Sequence, residues 1–186
     1  MKKPLAIIAG EPNSISSEII FKTWKMRKKF ISKPFFVIGS FDLLNLQKKK
    51  LNFKIKLKKM NDSFNSNNFR SNELLIYNID YYQKKVFDKI SKKTNGYIYK
   101  SFEVAINLAK KKKIIGFVNC PVSKESLFGK KHQGITEFLA KKTGTYGDEV
   151  MLIYNKNMAV SPITTHISLR KVSSNINYSI IVKKIS

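Results

Sequence analysis

A chain of 186 residues with a 42% apolar share, 12% aromatics and a formal net charge of +24 has the composition of a globular protein large enough to bury one sizeable core. No apolar run approaches the length that spans a bilayer, and the segment after Lys2 and Lys3 is cut short by Glu11 and Pro12, which argues against a signal peptide and a membrane partner. Only three of the 36 basic residues are arginine (Arg27, Arg70 and Arg170), and the lysines are dispersed along the chain, so a solvated lysine surface accounts for the charge better than a specific nucleic-acid interface does.

In chain order, residues 4–9 form a continuous apolar run ending at Gly10, the pattern of a strand buried on both faces. Ser14 is placed to cap a helix carrying Ile15, Ile19, Ile20 and Trp24 on its inner side, with Glu18 in the first turn. Residues 34–38 repeat the strand pattern, and Gly39-Ser40 leads into a second helix with Leu43, Leu44 and Leu46 inward. Leu51, Phe53, Ile55 and Leu57 alternate with polar residues, which predicts a strand with one wet face near a sheet edge. Residues 61–72, rich in Asn and Ser, read as an exposed loop, and residues 73–77 as a strand. Ile98, Phe102, Ala105 and Ala109 fall at helical spacing, with Lys110 to Lys113 at the negative end, and that helix delivers the chain into a strand at 114–118. Residues 150–154 and 158–161 flank Asn155-Lys-Asn157 as a hairpin or a tight connection, and Ile176, Ile180, Ile181 and Ile185 mark a terminal helix. The alternation of strands and helices predicts an α/β domain with a largely parallel sheet, and no linker divides the chain.

Chemistry concentrates where apolar runs end in small polar and ionisable residues: Phe117-Val-Asn-Cys-Pro-Val-Ser-Lys124, Gly134-Ile-Thr-Glu-Phe138 and Ile163-Thr-Thr-His-Ile-Ser-Leu-Arg170. Buried strands deliver side chains to the carboxyl edge of a sheet in this way. Thr136 sits where a helix opens, either as a cap or with the helix N–H groups as a phosphate contact. Lys124, just past a strand, is either solvated or the partner of an anion. His166 is one of two histidines and, alone, is a hydrogen-bonded structural residue or one ligand of an ion completed elsewhere. Cys120, the one cysteine, reads as a small buried residue and fits a reducing, cytoplasmic setting. The absence of Gly-x-Gly-x-x-Gly argues against a Rossmann dinucleotide site.

Together with Gly10-Glu-Pro-Asn-Ser-Ile-Ser-Ser-Glu18, these segments resemble the 4-hydroxythreonine-4-phosphate dehydrogenase family of vitamin B6 biosynthesis, whose motifs run roughly G-E-P-x-G-I-G-P-E, T-G-P-V-x-K, G-H-T-E-F and A-T-T-H-x-P-L-R. The resemblance implies a layered α/β/α fold like that of isocitrate and isopropylmalate dehydrogenases. It also implies that residues 1–186 are the N-terminal part of one such fold, truncated before its C-terminal half. It further implies a homodimer that oxidises and decarboxylates 4-phosphooxy-L-threonine to 3-amino-2-oxopropyl phosphate with NAD or NADP and a divalent metal (Zn, Mg or Co). By the same resemblance Thr136 and Lys124 bind substrate and His166 binds the metal, while the catalytic and cofactor-binding residues stay unassigned. The sequence departs from the family at three points. Ile135 replaces the substrate-contacting histidine, with His132 three residues earlier. Ser14, Ser16 and Ser17 replace Gly, Gly and Pro, which implies a tighter or differently shaped loop. Asn119 and Cys120 replace Thr and Gly. The alternatives are a relative acting on another four-carbon phosphorylated acid such as threonate or erythronate phosphate, an inactive fragment, or a basic nucleic-acid-binding module.

Overall fold

The structure is a computed structural model describing residues 3–30, 33–60, 69, 72–129, 134–165 and 167–185. Two compact units divide the chain, residues 1–130 and 131–186.

In the first unit the described residues form a parallel sheet in the order β3-β4-β2-β1-β5. Its strands are β1 (Leu5–Ile8), β2 (Phe35–Gly39), β3 (Lys56–Met60), β4 (Glu73–Asn78) and β5 (Gly116–Asn119). Helices α1 (Ser16–Phe30) and α2 (Phe41–Lys50) follow β1 and β2, and α3 (Asn95–Lys110) precedes β5. Because successive strand side chains face opposite ways, the sheet builds two cores. Ile7, Val37, Leu74 and Ile76 meet Ile20, Phe21 and Trp24 of α1 and Leu44 of α2. Ala6, Ile8, Phe36, Ile38 and Leu75 are buried on the alternate positions, with Ile98, Phe102 and Ala105 of α3 buried as well. Each fully buried Phe or Ile contributes roughly 1.5–3 kcal/mol. The three-layer α/β/α order and the parallel sheet agree with the sequence.

Several details differ. Ile15 and Ile19 are exposed at 62% and 38%, and Phe21 takes their place in the core. The helix opens at Ser16, one residue later than a Ser14 cap implies, although Ser14 Oγ still accepts the Ser16 N–H at 3.2 Å. Leu46 is 46% exposed, and its inward place goes to Gln47, whose amide donates to Pro12 O at 2.7 Å and Val86 O at 3.1 Å. Most of the 61–72 segment lies outside the described residues. Among the described residues the strand expected to be buried before Asn119 is an edge: β5 pairs with β1 on one side, and Val118 is 53% exposed.

In the second unit, α4 having ended the first (Lys124–Phe128), α5 (Ile135–Thr143) is followed by an antiparallel hairpin. Its strands β6 (Ile153–Asn155) and β7 (Met158–Val160) are joined across Lys156-Asn157. Short 3-10 turns and α6 (Tyr178–Ile185) complete it. The hairpin is fully exposed, and residues 161–165 form no strand, so Thr164 and Thr165 do not leave a buried strand as the sequence suggested.

Candidate functional site at the carboxyl edge and at the first turn of α5

The chain runs from β1 to β2 on one side and returns to β5 on the other, so the loops after β1 and β5 leave neighbouring strands at the point where the order reverses. Such points hold ligand crevices in open parallel sheets. Here the two loops are tied together. Glu11 N–H donates to Pro121 O at 2.9 Å, and Ser16 Oγ–H donates to the same oxygen at 3.3 Å. Gly10 is left-handed with φ +71°, and a Cβ there would lie 2.5 Å from Pro121 O and 2.8 Å from Cys120 O. Only a residue without Cβ permits that approach. Ser14 and Ser16, which stand at glycine positions of the first motif, set their Oγ atoms 2.7 Å apart, and Ser14 also donates to Glu11 O at 2.7 Å. The hydroxyls of Ser14 and Ser16 thus fasten this loop to itself and to the loop after β5.

Glu11 is 1% exposed, and hydrogen-bond donors hold its carboxylate: Thr94 Oγ at 2.8 Å and Asn13 N–H at 3.0 Å. Thr94 caps α3 and belongs to a segment strapped across the same edge, where Asn13 Oδ1 accepts from Gln83 Nε2 at 2.9 Å and from Asp88 N–H at 2.8 Å. Tyr97, in the first turn of α3, accepts the Ser40 N–H at 3.2 Å. Burial pushes its phenol well above the ordinary value; Tyr81, Cys120 and Glu11 act the same way, and the Ser40 N–H opposes them. Tyr81 is raised by burial and then by the charges of Glu11 and Asp88. Burial alone lifts the Cys120 thiol to about 11, so it is protonated at neutral pH and is no nucleophile, as the sequence suggested.

Lys124 is exposed and opens the short helix α4, whose cap is Ser123, accepting the Ser126 N–H at 3.2 Å. A cation at this end gains nothing from the helix dipole, so capping does not explain it. In the second unit Gly134 caps α5, with Ile135 half-buried and Thr136 exposed in the first turn. Glu137 folds back so that its Oε2 would lie 2.4 Å from a Cβ on Gly134, and that oxygen is buried without a hydrogen-bond partner among the described residues. A cavity of about 50 Å³ brings Thr136 and Glu137 together with Glu149, Pro162, Thr165 and Lys184. A second, of about 290 Å³, is lined by Gly147, Thr164, Thr165, Asn175 and Lys184 among others. The G-I-T-E-F and T-T-H segments thus meet within one unit. His166 and His132 lie outside the described residues. Among the described residues no group of three or more His, Cys, Asp or Glu converges as a metal site.

Sequence reasoning missed Thr94, Asn13 and Gln83 as partners of the first motif, and Glu149 and Lys184 as neighbours of Thr136. Thr94 is 83 positions from Glu11, and nothing local marks it.

Three comparisons bear on this geometry. Residues 31–186 match the family described as pyridoxal phosphate biosynthetic protein PdxA. Relatives named 4-hydroxythreonine-4-phosphate dehydrogenase include one from Zymomonas mobilis, 28% identical over 98% of this chain and 54% of its own length. Another, from Sulfurihydrogenibium, is 33% identical over 97% of this chain and 55% of its own. Among solved structures, a 4-hydroxythreonine-4-phosphate dehydrogenase from Burkholderia phymatum superposes with a TM-score of 0.86 at 21% identity, covering 100% of this chain and 56% of the other. A putative enzyme of the same name from Salmonella typhimurium does so at 0.83 and 25%, covering 100% and 57%. The chain therefore spans about half the length of the relatives it matches. With the family match covering most of the chain and the motifs placed on its loops and first helical turns, the chain belongs to the pyridoxal phosphate biosynthetic protein PdxA family.

Proposed function

We propose that the chain supplies the substrate-binding part of an NAD- or NADP-dependent, metal-assisted dehydrogenase. The enzyme would oxidise and decarboxylate 4-phosphooxy-L-threonine to 3-amino-2-oxopropyl phosphate in pyridoxal phosphate biosynthesis. The observation that carries the reading is Thr136, exposed in the first turn of α5 and sharing a cavity with Thr165. The N–H groups of a first helical turn and its positive dipole end suit a phosphate, and the Thr136 hydroxyl adds a neutral donor. Lys124 is assigned to an anionic group of the substrate by its place in the second motif. His166 is assigned to the metal by the T-T-H motif; a bound divalent ion would polarise the substrate oxygen. Among the described residues no group of three or more His, Cys, Asp or Glu converges to hold that ion. The nicotinamide cofactor would accept the hydride, and its site stays unassigned.

A second reading, in which the substrate is another four-carbon phosphorylated acid, is favoured by Ile135, which offers no hydrogen bond where the family has histidine. We also propose a homodimer in the cytoplasm. Support comes from the β6–β7 hairpin, which exposes Leu152, Ile153, Tyr154 and Met158 at 61–72%. A two-stranded hairpin is marginal without a covering surface.

Calorimetric titration of the chain with 4-phosphooxy-L-threonine tests the reading. Thr136→Ala should weaken binding about tenfold, and Ile135→His should strengthen it if the family substrate is right. Equal affinity in Thr136→Ala and the parent would sink the assignment. Tighter binding of threonate or erythronate phosphate, with Ile135→His neutral, would select the second reading. The chain alone should not turn over substrate with NAD and a divalent ion, and turnover abolished by His166→Ala would overturn the view that it supplies only part of the site.

A further inference from the structure

At the amino end of the sheet, away from the loops after β1 and β5, α1 and the approach to β3 enclose a groove of about 420 Å³. Lys25, Arg27 and Lys28 line it from α1, and Lys54 and Lys56 from the β3 side, together with Trp24, and among the described residues no carboxylate is in the lining. Arg27 is held in place. Its guanidinium lies 3.8 Å from the centre of the Trp24 ring, donates to Trp24 O at 2.7 Å, and also bonds Asn72 Oδ1. These contacts use two of its five donors and fix the plane of the fork before any ligand arrives. Lys25 is also anchored, with its Nζ 5.1 Å from the Phe53 ring centre. A groove whose cations come from two elements and converge on a fixed guanidinium is a different object from a lysine run on one helix face.

We propose that this groove binds an oligophosphate anion, the size of a triphosphate, independently of the dehydrogenase site. Five cations from two elements lining one groove suit a polyanion such as a chain of phosphates better than a single carboxylate. Arg27 would supply the directional hydrogen bonds and the lysines the point charges. The two bland explanations are testable alternatives: Arg27 and Lys28 complement the negative end of α1, and lysines on β3 protect a sheet edge from pairing.

The experiment is calorimetric titration of the chain with inorganic tripolyphosphate, ATP and a short single-stranded oligonucleotide at about 0.15 M salt. Lys54→Ala with Lys56→Ala is compared against Lys110→Ala with Lys111→Ala, which removes the same charge at the end of α3. Saturable tripolyphosphate binding that weakens about tenfold or more in the groove variant, and is unmoved in the control, is expected. ATP binding alongside it would identify a nucleotide as the source, and its absence would leave the free phosphate chain. Equal losses in the two variants, no saturable binding of tripolyphosphate, or binding confined to the oligonucleotide would each overturn the proposal. Because Arg27→Ala removes packing on Trp24, Arg27→Lys serves as the second variant. It keeps the charge but not the fork, and should weaken tripolyphosphate binding while leaving the melting temperature near that of the parent. Undiminished binding in Arg27→Lys would refute the role given to the fork.

Discussion

Gly10 answers two requirements at once, a positive φ and a contact with the neighbouring loop that leaves no room for a methyl group. A non-glycine residue in that conformation costs about 1–3 kcal/mol before any clash is counted. Gly10→Ala should lower unfolding stability by at least about 2 kcal/mol, read as a shift of the urea midpoint with unchanged m value; an unshifted midpoint would mean that the β1 and β5 loops part easily. Two buried acids make a second prediction. Cys120, ordinarily near 9.0, is lifted to about 11, and Tyr97 is raised above its ordinary 10.0. Each keeps its proton in the folded protein to higher pH than in the unfolded chain. The stability Cys120 lends is therefore complete below about pH 9 and is lost as pH rises to about 11, and Tyr97 adds to the decline only above its ordinary 10.0. At about 1.4 kcal/mol per tenfold change in acidity, Cys120 alone accounts for about 2–3 kcal/mol. Denaturation midpoints measured from pH 8 to 11 should fall, and Cys120→Ser should flatten part of the decline; in the native state at pH 8 the thiol should resist alkylation that proceeds on unfolding. The motif Gly10-Glu-Pro12 was legible in the sequence because glycine and an acidic residue close an apolar run. The reason for Glu11 was not, because its partner Thr94 sits across the sheet edge on a helix whose start carries no comparable signal.

Among the elements, local caps and periodicity were legible wherever the chain commits to one face. Ser40 illustrates this: its Oγ accepts the Leu43 N–H at 3.3 Å and donates to Tyr81 O at 3.1 Å, so it both starts α2 and anchors the segment after β4. Ser40→Ala should cost about 1–2 kcal/mol in thermal or urea unfolding, whereas Ser40→Asp should recover the cap but not the bond to Tyr81 O; full retention of stability in the alanine variant would show that α2 needs no side-chain cap. The misplaced faces of α1 and α2 have a common cause. Both helices carry more apolar residues than one stripe holds, so which of them face the core is decided by packing in the assembled layers, and α1 buries Phe21 while Ile15 and Ile19 stay exposed. Edge position is likewise a property of the assembled sheet: residues 114–118 read as buried because apolar runs do in parallel sheets, yet β5 has one partner among the described strands. Residues 163–165 misled for the converse reason, since β-branched residues favour strands only where a neighbouring strand is there to pair with them.

For the whole molecule, the net charge of +24 predicts weak, non-specific attraction to nucleic acid and nothing more selective. Binding to short duplexes should fall steeply between about 0.05 and 0.2 M salt and be indifferent to sequence; salt-resistant, submicromolar affinity for one sequence would contradict it. Composition and alternation sufficed for the layered α/β class. The division at residue 130 did not show itself, because no change of composition accompanies it.

The pairing of β1 with β5 joins Ile8 to Asn119, while its other neighbour, β2, follows within some thirty residues. During synthesis one edge of β1 is therefore open until more than a hundred further residues have left the ribosome, on the order of 5–20 s at typical elongation rates. Over that interval Ile7 and its neighbours present an unpaired apolar edge that other nascent chains can join. Glu11 has neither Thr94 nor Pro121 to meet until late in the same interval. The crevice at the head of the sheet, which needs the loops after both β1 and β5, thus forms only once the other four strands of the sheet have been synthesised.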